Sequence, residues 1–356
     1  MSRVLVAMSG GVDSSVAAAL LVRDGHDVTG VHLKLSDYAA PEQEGRVHGC
    51  CSVEAADDAR RVAQVLDIPF YVWNLVEPFR EAVVDDFIGE YAAGRTPNPC
   101  VRCNERVKFG AVLERGIAMG FDFVATGHYA IARRDGAGHA RLFRSADAAK
   151  DQSYVLSSIG RAALDRSLFP IGALTKPETR ETARALSLRT ADKPESFDIC
   201  FVPGGDAGAF VDAAVGAAPG PIVDADGTVL GEHGGIHRYT VGQRRGLGLA
   251  SHERRFVVDV DATRNAIVVG PGELLSRTHL TADRVRWLAA PPPTGANLSV
   301  QIRAHGRSIP AHIAVAGDDA ADVRLTEPER GVATGQTIAF YDGEEVLGGG
   351  IIVAAR

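Results

Sequence analysis

No apolar run in this chain approaches the roughly 18 residues that a membrane-spanning helix needs. The N-terminus lacks the charged-then-apolar pattern of an export signal, so no membrane and a cytoplasmic location are expected. The cysteines number five. That is an odd count in a long chain without an export signal, and it fits reduced, reactive or metal-bound thiols better than a disulfide framework. Lysine is scarce: 5 lysines stand against 33 arginines in a total of 38. Internal repeats and low-complexity tracts are missing too. The net charge of −7 argues against a general nucleic-acid binder. Local basic surface stays open, through Arg133-Arg134, Arg244-Arg245, Arg254-Arg255, Arg303 and Arg307; Arg60-Arg61 reads as a solvated helix face. What remains is ordinary for a globular chain, with 46% hydrophobic and 23% charged residues. At 356 residues there is room for two or three domains.

The densest signal is Ser9-Gly10-Gly11-Val12-Asp13-Ser14. An apolar run, Val4 to Met8, precedes it, and a helical pattern from Ser14 to Arg23 follows and stops at Gly25. Strand, glycine loop and helix together present backbone N–H groups and a helix N-terminus to an anion. The two glycines let the backbone approach without Cβ interference. The loop has no Walker A lysine and no G-x-G-x-x-G spacing. It resembles the PP-loop of ATP pyrophosphatases, which cleave ATP between the α and β phosphates. The plain alternative is a glycine turn before a helix.

Strand and helix patterns alternate through the first two hundred residues. Strands are expected at Val4–Met8, Val28–Leu35, Phe70–Leu75 and Phe121–Thr126. Helices are expected at Ser14–Arg23, Val53–Leu66, Glu77–Ala93 and Glu105–Met119. This predicts an α/β fold with a parallel sheet covered on both faces, whose ligand sits beyond the strands' carboxyl ends. Near Pro203-Gly204-Gly205 the pattern changes to short β runs. Asp224–Gly227 and Arg264-Asn265 read as hairpin turns, and a second break falls at Ala290–Gly295. The tail reads as a small β-barrel. The expected domains are 1–203, a central β-rich domain at 204–276 and a C-terminal barrel at 277–356.

Four further segments carry chemistry. In Thr96-Pro97-Asn98-Pro99-Cys100-Val101-Arg102-Cys103-Asn104 the prolines hold an extended approach. Asn104 or the loop before it then caps a helix from Glu105, placing Cys103 at a helix N-terminus that favours thiolate. Cys100 and Cys103 also have C-x2-C spacing, which Cys50-Cys51 can complete as a zinc site. Zinc, a catalytic or redox pair, and inert thiols all stay open here. Cys200 has apolar neighbours, which favour an inert buried thiol, but it lies just before the domain break. Gly127, in Ala125-Thr126-Gly127-His128-Tyr129, is placed to lie against a nucleotide, with His128 read as structural. Lys150-Asp151-Gln152 is a polar cluster that a helix cap with a solvated lysine explains equally well.

Taken together, these residues resemble the tRNA-specific 2-thiouridylases of the MnmA type. The shared segments run nearly end to end: SGGVDSS at 9–15, GCCS at 49–52, TPNPCVRCN at 96–104, ATGHYA at 125–130, KDQSYVL at 150–156, ESFDICF at 195–201 and GQRRGLG at 242–248. SGGxDS belongs to the whole superfamily; its combination with TPNP and the later ICF cysteine is far more specific. The resemblance implies ATP-dependent replacement of the 2-oxygen of the wobble uridine by sulfur in tRNAs for Lys, Glu and Gln. It implies ATP and Mg2+ as cofactors, no resident structural metal, and a cysteine desulfurase or sulfur-relay protein as donor. It places ATP on Ala7, Met8, Ser9, Gly10, Gly11, Val12, Asp13, Ser14, Leu33 and Gly127. Cys103 is implied as the nucleophile that ends in a disulfide, and Cys200 as the persulfide carrier. Asn98, Pro99 and Cys100 lie at the target base, and Lys150, Asp151, Gln152 and Arg303 at tRNA. Two departures stand out. Ala304 replaces an aromatic residue of many relatives, and Cys100 replaces an aspartate proposed as acid/base. Other readings are a PP-loop ligase acting on a small molecule and a zinc-stabilised, non-catalytic RNA-binding module.

Overall fold

The computed structural model describes residues 1–36, 53–194, 199–249 and 253–356, which form two compact units. The first comprises Met1–Val84, Cys100–Gly205 and Glu344–Val346. Its sheet is parallel throughout: β3 (Phe70–Asn74), β2 (Asp27–Lys34), β1 (Arg3–Ala7), β4 (Phe123–Ala125) and the short strand Ser167–Leu168, in that order. Both faces are covered, so Val4, Leu5 and Val6 are all buried, which explains a continuous rather than alternating apolar run. Helix α1 (Val12–Arg23) packs its small residues Ala17 and Ala18 into this core and ends before Gly25, which takes a positive φ of 80°. Helix α2 (Val53–Val65) buries Ala55, Ala59, Val62 and Ala63, which recur at helical spacing.

The chain leaves β1 for β2 on one side and later returns to β4 on the other. The carboxyl ends of β1 and β4 therefore flank a topological switch point, where an open sheet of this kind forms a crevice. The expected strands and the first two expected helices of this unit are present, with ends shifted by a residue or two.

Two expectations are corrected. No helix begins at Glu105: Pro99–Arg102 already forms the first turn, continuing as a wide π-wound stretch, Cys103–Ala111, and then α-helical Val112–Ala118. Proline suits a first helical position because its N–H would be unpaired there anyway. Cys103 is therefore one turn inside the helix, and Asn104 is no cap. The segment Glu77–Ala93 is likewise not uniform: Val76–Phe79, a π-wound Arg80–Val84 and Asp85–Ala92 follow one another. Helix Lys176–Ala185 was not anticipated. A capping box between Thr175 and Glu178 starts it, with proline in its first turn.

The second unit comprises Asp85–Pro99, Asp206–Gly343 and Leu347–Arg356. Both expected hairpins exist: Gly220–Val223 with Val229–His233, and Phe256–Asp261 with Ala266–Gly270. Asn265 turns the second with a φ of 48°, which asparagine tolerates. Six strands then close a barrel in the order Ser276–Trp287, Ala321–Arg330, Ile309–Ala316, Asn297–Gln301, Thr337–Asp342 and Glu345–Ala355, the last pairing back onto the first. The proline-rich break at Ala290–Gly295 is a loop inside this barrel rather than a boundary. Among the described residues no helix is long and apolar enough to cross a membrane.

Candidate active site

A cleft of about 330 Å³ opens at the switch point. Ala7, Met8, Ser9, Gly11, Val12, Asp13 and Ser14 line it from the β1–α1 loop, Leu33 from β2, and Thr126, Gly127, His128 and Tyr129 from the end of β4. Of the ten expected nucleotide residues, only Gly10 does not line the cleft. Its φ of 74° and its closeness to α2 explain its role: a Cβ there would sit 2.1 Å from the Ala55 carbonyl oxygen. Gly127 shows the same constraint without backbone strain, since its Cβ would fall 2.5 Å from the Ser14 nitrogen. The loop is thus pressed between α2 and β4 by two glycines.

Hydroxyls brace the loop internally. Ser14 Oγ accepts from the Ser9 N–H at 3.1 Å and lies 3.2 Å from Ser9 Oγ, while Ser15 Oγ donates to the Gly11 carbonyl at 2.8 Å. Asp13, in the first turn of α1, is held from outside the loop. Lys176 Nζ donates to both its carboxylate oxygens at 2.8 Å, and the Tyr129 hydroxyl donates to Oδ1 at 2.9 Å. Burial, with the Asp13 charge adding to it, pushes the Tyr129 phenol far above its ordinary range. Lys193 Nζ donates to the Gly10 carbonyl at 3.0 Å and to Asp58 of α2 at 2.7 Å.

Among the described residues the cations lining the cleft are Lys108, Lys150, Lys176 and Lys193, with no arginine beside them. Four of the chain's five lysines meet here. The scarcity of lysine in the sequence is the signal that could have found them. His128 is buried and its Nδ1 lies 2.7 Å from Thr126 Oγ1. Burial, and then the Lys108 charge, hold its pKa well below the ordinary range. His128 is therefore a neutral hydrogen-bonding group at pH 7.

The cysteines divide by exposure. Cys103 is buried, whereas Cys100 and Cys200 are exposed. The apolar neighbours of Cys200 do not bury it; Phe201 turns inward instead, edge-on to Phe79 at 5.6 Å. Around Cys103 the helix carries a shielded ion pair, Arg102–Glu105 at 2.9 Å. Asn104 is buried and donates through Nδ2 to the Val155 carbonyl at 3.2 Å, binding this helix to the chain just after Gln152. Among the described residues no group of three His, Cys, Asp or Glu is placed to hold a metal, and Cys50 and Cys51 lie outside the described residues.

Lys150 and Gln152 line the cleft, but Asp151 does not. The Asp151 carboxylate turns inward, accepting from the Ser145 N–H, Ser153 Oγ and Arg144. In the second unit Thr96 is clamped by backbone: its N–H donates to Thr334 at 2.8 Å and its carbonyl accepts from Gln336 Nε2 at 2.9 Å. Pro97 and Pro99 are buried, with Asn98 partly exposed between them. Glu90, nearly buried, pairs with Arg95 just before this segment and with Arg284 at 3.5 Å. Arg303 donates to the carbonyls of Arg330 at 3.0 Å and Gly331 at 2.6 Å.

Three family models match the chain in succession: a tRNA methyl transferase HUP domain at residues 2–204, a tRNA methyl transferase PRC-barrel domain at 208–271, and an aminomethyltransferase beta-barrel domain at 277–352. Proteins named tRNA-specific 2-thiouridylase MnmA are similar over the whole length. The one from Beutenbergia cavernae is 54% identical across 99% of this chain and 95% of its own. That from Acidothermus cellulolyticus is 52% identical across 99% and 98%, and that from Mycolicibacterium smegmatis 51% across 97% and 98%.

Proposed function

The chain belongs to the tRNA-specific 2-thiouridylase family, and from that premise we propose how its own residues perform ATP-dependent 2-thiolation of tRNA. The observation that carries the proposal is the lysine-lined cleft at the switch point, with Ser9, Gly11, Val12, Asp13 and Ser14 on one wall and Gly127 on the other. A phosphate chain fits this cleft because the N-terminus of α1 supplies N–H groups and the glycine walls carry no Cβ. Asp13 with the hydroxyls of Ser9 and Ser14 would hold Mg2+, whose charge offsets that of the phosphates. Lys176, Lys193 and Lys108 stabilise the negative charge that grows on the departing pyrophosphate.

The uridine 2-oxygen is a poor leaving group until AMP is attached to it. Sulfur then arrives as a persulfide on Cys200, whose exposure suits loading by a cysteine desulfurase or a relay protein. The outer sulfur bonds to C2 of the base as AMP leaves. The Cys103 thiolate attacks Cys200 Sγ, and the S–S electrons pass to the sulfur on C2, giving 2-thiouridine. A Cys103–Cys200 disulfide remains, and an external dithiol supplies two electrons to reopen it. Cys103 needs its thiolate only in this last step, and burial protects it until then. Asn98, Pro99 and Cys100 are the contacts for the base; Lys150, Gln152 and Arg303 are those for the rest of the tRNA. Asp151 acts by shaping its loop. The three matched segments support domain divisions at 203/204 and 276/277.

The test is direct. Purified protein with ATP, unmodified tRNA and a sulfur donor forms 2-thiouridine, and Cys200→Ser abolishes it while ATP binding persists. Full thiolation by Cys200→Ser removes the sulfur route. Pyrophosphate release that needs a small metabolite and not tRNA favours the ligase reading.

A further inference from the structure

Both groups that hold the Asp13 carboxylate lead to the same stretch of chain, residues 147–152. The first route runs through Tyr129. Its hydroxyl lies 2.9 Å from Asp13 Oδ1, and its backbone forms a two-bond clip with Gln152. In that clip the Tyr129 N–H donates to Gln152 Oε1 at 2.9 Å, and the Gln152 N–H donates to the Tyr129 carbonyl at 2.8 Å. The second route runs through Lys176. Its ammonium donates to both Asp13 oxygens, and its backbone N–H donates to Asp147 Oδ2 at 2.9 Å. Asp147 in turn accepts, through its carbonyl, the Lys150 N–H at 3.0 Å.

We infer that Tyr129 and Lys176 are positioning residues that couple nucleotide binding at Asp13 to tRNA binding at residues 150–152. The inference rests on the proposed function, in which that segment meets tRNA. Its physical basis is competition for one cation. Lys176 spends two of its three N–H bonds on Asp13. A phosphate entering the cleft draws the same ammonium away, so the Asp13–Lys176 pair differs with and without nucleotide. Tyr129 feels the change directly at its hydroxyl. Its ring and backbone are buried, and Thr179 Oγ1 lies 3.0 Å from that hydroxyl, so a shift at Asp13 is passed to Gln152 rather than lost in solvent.

Linkage makes the coupling reciprocal: nucleotide must tighten tRNA by the same factor as tRNA tightens nucleotide. The experiment measures four dissociation constants on the full chain. These are an α,β-methylene ATP analogue with and without unmodified tRNA, and that tRNA with and without the analogue. The wild-type factor is expected to be at least about fivefold and equal in both directions. Tyr129→Phe keeps the ring and removes the bond to Asp13, so it lowers the factor; Tyr129→Phe with Lys176→Met brings it to about one. A wild-type factor of one overturns the inference, and so does an undiminished factor in the double variant. Should the double variant fail to fold by circular dichroism, an undiminished factor in Tyr129→Phe alone overturns it equally. Failure to bind tRNA or form 2-thiouridine strikes the proposed function instead, whereas full thiolation with a factor of one strikes only the coupling.

Discussion

Replacing Gly127 by alanine adds one methyl group at the tightest point of the cleft. That Cβ would lie 2.5 Å from the Ser14 nitrogen and 2.6 Å from the Asp13 carbonyl carbon, against ordinary contact from 3.4 Å outward. Something must therefore move by roughly 0.9 Å, the gap left by backbone that a methyl group cannot overlap. The backbone that must yield is the first turn of α1, whose next residues Ser15, Val16, Ala17 and Ala18 are fully buried. Gly127 has no positive φ, so steric overlap is the whole cost and backbone strain adds nothing. Overpacking of this kind costs about 1–3 kcal/mol, and for a domain of this size each kcal/mol lowers Tm by about 2–4 °C. The larger effect falls on function. A displacement near 1 Å in a positioning element costs up to about a hundredfold, so affinity for an ATP analogue should fall at least about tenfold. Gly89→Ala is the internal control. Gly89 is exposed in the helix Asp85–Ala92, and no atom lies within 4 Å of its would-be Cβ. That variant gains about 0.5–1 kcal/mol and leaves nucleotide binding alone. Isothermal titration and a thermal melt of the two variants suffice. Wild-type affinity and Tm in Gly127→Ala would refute the claim that this contact sets the loop.

Three more outcomes follow from the same geometry. Burial alone would raise the Glu90 carboxyl, but the hydrogen bond and charge of Arg95, with the charge of Arg284, outweigh it and hold the pKa below its ordinary value. The advantage of Glu90 over glutamine is therefore full above the unfolded pKa of about 4.3 and is lost as pH falls through the lower folded value. Glu90→Gln should cost about 1–3 kcal/mol at pH 7, and denaturant melts of the two proteins should converge once pH falls below that folded value. Burial also lowers the pKa values of His128, His233 and His237, so each binds its proton less readily folded than unfolded. Stability should consequently drop as pH falls below about 6.5; an NMR titration in which His128 shows a midpoint at the ordinary histidine value contradicts the burial argument. Cys100→Ser should leave a folded protein with an altered thiolation rate and an unchanged melt, while collapse with loss of bound zinc supports a metal site.

The parallel sheet was legible because burial on both faces writes itself as continuous apolar runs such as Val4-Leu5-Val6. The nucleotide loop was legible because its glycines and its place after a strand have one common physical reading. The start of the Cys103 helix was misread because two prolines look like an extended approach, although Pro99 is equally at home as a first helical residue. The tail was legible as a small barrel, but Ser276–Trp287 and Ala321–Arg330 carry polar residues outward along much of their length, which hides their full extent from apolar runs alone. Lys176 and Lys193 left no local trace, and Tyr129 showed only as a neighbour of Gly127. Each reaches the loop from a distant segment, and nothing within a few residues of Lys176 announces Asp13, which precedes it by 163 positions.

One global trace did exist, and it is chemical. The chain uses arginine as its default cation, yet among the described residues every cation lining the cleft is lysine. A guanidinium is a rigid planar fork that locks onto a carboxylate or phosphate in one orientation. An ammonium is a compact charge with three donors on a flexible stem, able to keep its grip as an oxygen moves. Lys193 shows this use directly, shared between the Gly10 carbonyl and the Asp58 carboxylate, groups with different directions and charges. Lys176 straddles two carboxylate oxygens at equal length. A site that binds a triphosphate and lets pyrophosphate go needs cations that follow moving charge rather than fix it. The same reasoning explains why the net charge of −7 misdirects: it averages over the whole chain, while the charge that matters is four lysines gathered from distant segments into one cleft.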